Sequence, residues 1–438
     1  MEFRRGVSGS QASWSLYWLV ATCIHVLLLV ESLQDRKLQQ ASMQRRLQAY
    51  TDSTNATMHG PAVKSFQVSD GSWIDCVPIE QQIAAHHPAL KDHIIQVSQS
   101  SYMDLQQNHV EPPSLGLHPQ SFAREHGGCP EGCIPVQRKD SKQPLLSKFG
   151  SPMMHEQGTP YSHDYAVVGM RSPKAAYQGS SAVLSVHTPV VGDLKEGFSL
   201  SQLWISAGQY SDSSLNTAEV GWHVFPSHYP AFYPRTNKPL APHLFIYWTA
   251  DNYVNTGGYN LDTPGFVQTN NKWVLGGTIA ENEDEISVVV VYESAIPGWR
   301  LSISGTTIGY WPSAIFTSLR TSANHVLWGG EIYNTVTSIS RKATTMGSGA
   351  FPDKGYPVAA YQRNVKYADS SKKFFDATLK SEIVSNANCY KTSIQGGGGG
   401  GGGSGHHRWG TYFFFGGPGE RSPACVKKYQ MGIHPTTN

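Results

Sequence analysis

The chain has 438 residues, with 34 Lys and Arg against 32 Asp and Glu and a formal net charge of +2 at pH 7. So even a balance, without a basic block, excludes nucleic acid as an expected partner. Only 15% of the residues are charged, while 43 Gly, 26 Pro, 21 Tyr and 11 Trp are present; such material builds short strands and turns more readily than long helices and points to an all-β protein.

Arg4 and Arg5 precede the apolar run "LYWLVATCIHVLLLV" at residues 16–30. Its length suits the core of a signal peptide and is short for a membrane span, with a signal anchor as the alternative reading. Residues 1–30 are therefore expected to act as a signal peptide and be removed, leaving a secreted, extracellular protein without membrane attachment. Residues 31–61 are polar and rich in Gln and Arg, the composition of a disordered spacer. Asn55 in "NAT" is the one N-x-[ST] sequon and a candidate glycosylation site.

Over residues 62–138 the pattern tightens into a small α+β unit. "VKSFQV" and "WIDCV" alternate like strands and the Asp70-Gly71 step between them predicts a hairpin. "IEQQIAAHHPAL" predicts a short helix with a proline near its end, and "HGGCPEGCIPVQR" a second, turn-rich element. Residues 139–160 carry Lys, Ser, Gly and Pro without periodicity and read as an exposed linker open to proteolytic cutting.

Beyond Tyr165, strand signals come one after another until about residue 345: "AVVGM", "SAVLSVHTP", "SLSQLWISAG", "AEVGWHVFP", "HLFIYWTA", "GFVQTN", "WVLGGTI", "EISVVVVYES", "WRLSISGTTIGYWP", "HVLWGGEIY" and "TVTSIS". Short strands punctuated by Gly, Asn, Asp and Pro, with no βαβ alternation, predict an antiparallel two-sheet β-sandwich of jelly-roll type. The glycine run at residues 396–403 lacks the strand before it and the Lys-Ser/Thr after it that a phosphate loop needs, so it reads as a flexible insertion. The adjacent His406 and His407 on that loop are not expected to hold a metal.

Of six cysteines, Cys23 lies in the signal segment; Cys76, Cys129, Cys133, Cys389 and Cys425 remain. An odd number allows at most two internal disulfides and leaves one thiol. The C-x-x-x-C spacing of Cys129 and Cys133 has no second pair to match it, which argues against a zinc ribbon. No metal and no cofactor is expected.

No G-x-S-x-G, H-E-x-x-H, P-loop or dinucleotide fingerprint occurs, so carboxylates are the candidate catalytic groups. Two stand out. In "LNTAEVGWHVFP", Glu219 shares a strand face with Thr217, Gly221 and His223, and in "HVLWGGEIY", Glu331 shares one with Leu327, Gly329 and Tyr333. Gly221 and Gly329 are expected to leave room for a substrate backbone beside each acid. Against this stands the ordinary reading of a strand glutamate as solvent face, which is how the cluster "ENEDE" at 281–285 is read, as a solvated turn.

Several of these segments, "NTAEVGWHVFP", "FIYWTADNYVNTGGYNLDTPGFVQ", "GTTIGYWPSAIF", "VLWGGEIY" and "MGSGAFPDKGY", resemble the catalytic domain of the neprosin family, and "DGSWIDCVPIEQQIAAHHPALKDHIIQ" with "CPEGCIPV" resembles that family's activation domain. The resemblance implies a secreted glutamic peptidase made as a zymogen, with residues 62–138 as an inhibitory propeptide and residues 161–438 as the catalytic domain. It implies proline-containing peptides or proteins as substrates, cut on the carboxyl side of proline in acid, and it maps the two catalytic glutamates onto Glu219 and Glu331. It pairs Cys389 with Cys425 and Cys76 with Cys129, with Cys133 left over or exchanged for Cys129. The family's "TGCYNLxC" reads "TGGYNLDT" here, so Gly258 and Thr263 stand where two paired cysteines are usual. Among the aromatic residues, Trp222 and Trp328 are expected in the sandwich core, while Tyr333, Tyr310 and Trp311 are candidates for a proline-accepting subsite. The alternatives are a glycoside hydrolase, which also uses two carboxylates, and a catalytically silent module that binds cell-wall glycan.

Overall fold

The hairpin at the start of the α+β unit forms as β1 (Lys64–Gln67) and β2 (Trp73–Pro78), turning where Gly71 takes φ +92°. In this computed structural model the described residues are 59–96, 118, 120–139, 161–172, 176–195, 197–229, 240–280, 284–335, 344–395, 409–419 and 425. The signal segment, nearly all of the spacer with Asn55, the linker from 140 to 160, and the glycine run with His406 and His407 lie outside them. A third strand, β3 (Cys133–Gln137), completes a small antiparallel sheet beside helix α1 (Ser121–His126), which ends on Gly127 at φ +74°. Cys76 is bonded to Cys129 and Cys133 is a buried free thiol.

The helix expected over "IEQQIAAHHPAL" is instead three short 3-10 turns, Ile79–Gln81, Ile83–His86 and Pro88–Leu90. Two residues break it. Gln82 is extended (φ −71°, ψ 155°) so that its carboxamide can reach the backbone of Gln268, and His87 is extended as the residue before a proline must be.

The rest of the chain makes two larger antiparallel sheets. The strands are β4 (Tyr161–Arg171), β5 (Gly179–Ser185), β6 (Phe198–Ala207), β7 (Asn216–Val224), β8 (His243–Thr249), β9 (Gly258–Tyr259), β10 (Val267–Gln268), β11 (Glu285–Glu293), β12 (Gly298–Ile303), β13 (Thr306–Pro312), β14 (His325–Thr335), β15 (Ala360–Ala368), β16 (Phe374–Asp376), β17 (Lys380–Val384), β18 (Lys391–Gln395) and β19 (Tyr412–Gly416). One sheet has seven strands in the order β17-β4-β14-β6-β7-β8-β9; the other has nine, β10-β13-β12-β11-β5-β15-β19-β18, with β16 paired to β15. The run "WRLSISGTTIGYWP" is a hairpin, not one strand. Ser304 (φ 45°) and Gly305 (φ 76°) both take positive φ, the geometry that joins twisted strands through a two-residue loop.

The two large sheets pack face to face. Trp222 and Trp328 are fully buried, and the Trp222 indole donates to the Ser185 carbonyl of β5 at 2.8 Å. Gln362 of β15 donates to Ser201 Oγ of β6 at 3.0 Å. A disulfide joins Cys389 to Cys425. Glu285, read from sequence as part of a solvated turn, begins β11 and holds the Arg363 guanidinium through two bonds, 2.7 and 2.6 Å.

The segment "WVLGGTI" is not a strand; it is where the N-terminal unit docks. The Gln120 carboxamide accepts from Val274 N (2.8 Å) and donates to Val274 O (2.8 Å), while Cys129 N donates to Asn271 O (2.7 Å). Val274 packs in the small unit's core with Phe122 and the cysteines. Lys139 is ion-paired with Asp262, which also takes His228 at 3.2 Å. Residues 59–438 accordingly form one compact body.

Candidate active site

β6 is the spine of the site. It lies between β14 and β7, with Glu331 opposite Leu200 on one side and Glu219 opposite Trp204 on the other. Residues directly opposite in a ladder share a face, and Leu200, Gln202 and Trp204 lie on one face because strand side chains alternate. Glu219 and Glu331 therefore project from the same face of the seven-stranded sheet, flanking Gln202, although 112 residues separate them in sequence (331 − 219). Both are fully buried.

Each carboxylate is held by several donors. Glu219 Oε1 accepts from the hydroxyls of Thr217 (2.8 Å) and Tyr253 (2.7 Å), and its Oε2 from the Gln202 carboxamide (3.0 Å). Glu331 Oε1 takes His163 Nδ1 at 2.6 Å and the Tyr165 hydroxyl at 3.1 Å. Burial, and next the charge on Glu331, push the Tyr165 phenol well above its usual range, with Glu219 adding to it; Tyr259 is raised by the same causes. Two phenols thus sense both carboxylates, and both stay protonated, able to donate, across any working pH.

The same face carries a dense aromatic cluster: Tyr165, Phe198, Trp204, Phe245, Tyr247, Tyr259 and Tyr333 among others. Beside the groups that hold the two acids it leaves a recess walled by the rings of Tyr165, Trp204 and Tyr253 and by Val167, Leu215, Leu327 and Ile383, with Ser206 and Thr217 as its polar members.

The sequence candidates separate in the fold. Tyr333 lies on the glutamate face, fully buried, stacked on Phe198 (5.6 Å between centroids) and against His163 (4.7 Å). Tyr310 and Trp311 belong to β13 in the other sheet and are not brought to the glutamates. The Tyr310 hydroxyl instead meets His93 (2.7 Å) and Gln96 N (3.0 Å) of the N-terminal unit, and Trp311 packs edge-on to Phe266. Trp222 and Trp328 point between the sheets as expected.

The two glycines do not make room for a substrate. A Cβ on Gly221 would lie 2.0 Å from Ser201 O, and one on Gly329, at φ +148°, 2.3 Å from Ala166 O. Neighbouring strand backbone already fills that space. Gly258 and Thr263 do face each other: a Cβ at 258 would come within 2.5 Å of the Thr263 side chain.

His163, Tyr165, Gln202, Thr217 and Tyr253 carry no sequence assignment to the site. Alternation in "SHDYAVV" places His163, Tyr165 and Val167 on one face and could have found the first two. Nothing local marks Tyr253, which reaches Glu219 from a turn at φ 63°.

The family model described as Neprosin matches residues 195–418, and the one described as Neprosin activation peptide matches residues 65–167. Among solved structures, scytalido-glutamic peptidase with a transition state analog inhibitor aligns at 9% identity, covering 58% of this chain and 98% of its own, with a TM-score of 0.31. A tetrameric galectin from Cinachyrella sp. (ball sponge) aligns at 11% identity, covering 40% and 90%, with a TM-score of 0.19. Superpositions this loose carry no weight for the chemistry. By class the molecule is a mostly β protein built on two large antiparallel sheets. The chain belongs to the Neprosin family, with an activation peptide preceding its main domain.

Proposed function

We propose that this chain is the secreted zymogen of a glutamic endopeptidase that cuts on the carboxyl side of proline in acid, using Glu219 and Glu331 as a pair that shares one proton. The observation that carries the reading is the placement of two fully buried carboxylates on one sheet face, within electrostatic reach of the same phenols. Two carboxylates so placed cannot both ionise cheaply, so one keeps a proton while the other is free to act as base. The ionised member draws a proton from water as it attacks the peptide carbonyl; the protonated member hydrogen-bonds the carbonyl oxygen and then protonates the departing nitrogen. The requirement for one retained proton sets the acid optimum.

The recess beside the groups that hold the acids supports the proline preference. Its rings and branched aliphatic walls offer flat apolar surface to a pyrrolidine and few polar groups to a charged side chain. The docked N-terminal unit, gripping the segment that leads from Tyr259 through Asp262 to Thr278, supports the propeptide role. Processing within residues 139–160 would separate it from β4.

The test is direct. The secreted protein is acidified and incubated with a proline-containing peptide beside Glu219→Gln and Glu331→Gln, and the products are read by mass spectrometry. Cleavage after proline in the wild type and in neither variant is the expected result; full activity in either variant refutes the pair.

A further inference from the structure

We infer that Gln202 is a further catalytic residue, whose carboxamide oxygen accepts the hydrogen that the attacking water keeps; this rests on the peptidase reading above. In β6 the row Leu200, Gln202, Trp204 has Glu331 beside its first member and Glu219 beside its last. Along that row Gln202 is the midpoint between the two acids. The positions opposite it on both sides are Gly329 and Gly221, so no side chain in its own row competes for its carboxamide.

The carboxamide is held at one end only. Nε2 donates to Glu219 Oε2 at 3.0 Å, while Oε1, in a side chain with 0% exposure, has no hydrogen-bond partner among the described residues. A buried amide oxygen without a donor costs stability, so one that persists calls for a reason, and its place between two acids supplies a catalytic one. Turning the amide over is no remedy. Two acceptor oxygens would then face each other whenever Glu219 is ionised, and Nε2 would be the unpaired atom instead. The backbone beneath is fixed from the second sheet: Gln362 Nε2 donates to the Gln202 carbonyl at 3.2 Å and to the Gly329 carbonyl at 3.4 Å. The carboxamide thus stands on a rigid strand.

An attacking water has two hydrogens, and the roles proposed for the two acids use one of them. As the water oxygen bonds the carbonyl carbon, that hydrogen passes to the ionised glutamate, while the protonated one is engaged with the carbonyl oxygen. The second hydrogen stays on the water oxygen, and an acceptor for it fixes the direction in which the attacking lone pair points. Oε1 is that acceptor, and the bond from Nε2 to Glu219 sets its orientation. The protonated glutamate then gives its proton to the amide nitrogen as the C–N bond breaks. The retained hydrogen leaves on the new carboxyl group, and the pair again holds one proton. In the uncleaved chain both acids and Gln202 are closed to solvent, so water and substrate meet them only once the site opens.

The experiment compares two ligands on the acidified protein. One is a prolyl peptide with a hydrated ketone in place of the scissile carbonyl; the other is the same peptide with a single hydroxyl there. The hydrate carries both the carbonyl oxygen and the oxygen of the added water, and the alcohol lacks one of them. Wild type is expected to bind the hydrate at least about tenfold more tightly. Gln202→Met, which keeps the length and loses the amide, is expected to lose that preference and to show kcat lowered about a hundredfold, with KM changed less than about threefold. A glutamine that only packs, or only steadies Glu219, would weaken both ligands alike. An unchanged preference in Gln202→Met overturns the inference, and so does a wild-type kcat. Gln202→Glu keeps an acceptor oxygen at the same reach and is expected to keep the preference and to recover at least about tenfold of the lost kcat. Should Gln202→Met fail to fold, this second variant carries the test, and a folded Gln202→Glu without the preference overturns the inference. A wild type that cuts no prolyl peptide defeats the peptidase reading, whereas an active wild type whose hydrate preference survives Gln202→Met defeats only the role of Gln202, so the two failures are distinguishable.

Discussion

The two faces of the seven-stranded sheet are equally dry yet chemically unlike. Along β7, Ala218, Val220 and Trp222 point to the second sheet, while Thr217, Glu219 and His223 point the other way; all are buried. The first face is aliphatic and indole. The second is rich in tyrosine, histidine and carboxylate, with polar atoms set against one another, as Tyr165 is against Glu331, Tyr253 against Glu219 and His223 against Tyr229. One strand thus serves stability and chemistry at alternate residues, and burial by itself does not say which. What separates them is whether a polar atom must be satisfied in the dark.

The sharpest way to break this contrast is substitution on the chemical face. Glu219→Gln and Glu331→Gln should each cut turnover of a prolyl peptide by at least about a thousandfold while leaving Tm nearly unchanged. Substitution on the other face should do the reverse. Trp222→Ala removes a fully buried indole and is expected to cost about 3–5 kcal/mol of stability, seen in urea unfolding at neutral pH. A Trp222→Ala protein of normal stability would show that face to be looser than its packing implies.

A third effect belongs to the docking region, where histidines are buried instead of paired to the reaction. Burial, with the positive charge of Lys139, lowers His228 to about 4 against its contact with Asp262, and burial lowers His243 to about 4. Their folded values lie below the ordinary 6.5, so the unfolded chain takes up protons that the folded one refuses. Stability is therefore complete above pH 6.5 and falls between 6.5 and 4, by about 1.4 kcal/mol per pH unit for each group. Burial alone would raise Asp262, but Lys139 and His228 hold it at about 2, so its own contribution is lost only from 3.8 downward. Thermal melts of Glu331→Gln, which cannot digest itself under the proposed mechanism, should show Tm dropping across that upper window; a flat profile from pH 7 to 4 would contradict it. The smallest effect is expected from Tyr253→Phe, which removes one donor 2.7 Å from Glu219 and should lower kcat about three- to tenfold.

The sandwich was legible because period-two alternation and Gly/Asn punctuation are local properties of the chain. Glu219 and Glu331 were singled out through the motifs around them, and both disulfides were legible through the resemblance. The misreadings share a cause, which is that tertiary contacts overrode local signals. "IEQQIAAHHPAL" has helical composition, yet Gln82 gives up helical geometry to bond Gln268. "WVLGGTI" has strand composition, yet its backbone pairs with the Gln120 side chain. Tyr310 carries the same kind of ring as Tyr333, and only the sheet it belongs to sends it to His93 instead of the acids. Gly221 and Gly329 looked like gaps because a sequence does not show how closely the next strand's backbone approaches.

The Gly258–Thr263 contact bears on how such a loop can change through descent. Glycine at 258, at φ +154°, tolerates a backbone that disfavours other residues, and its missing side chain is where Thr263 sits. A lone Gly258→Cys would collide with that threonine and present a thiol with no mate; a lone Thr263→Cys would gain no bond. Passage between this loop and a cross-linked one therefore runs through two coordinated replacements. Either form, once reached, is a local trap that single substitutions leave only at a loss, so lineages carrying each should stay distinct at both positions together.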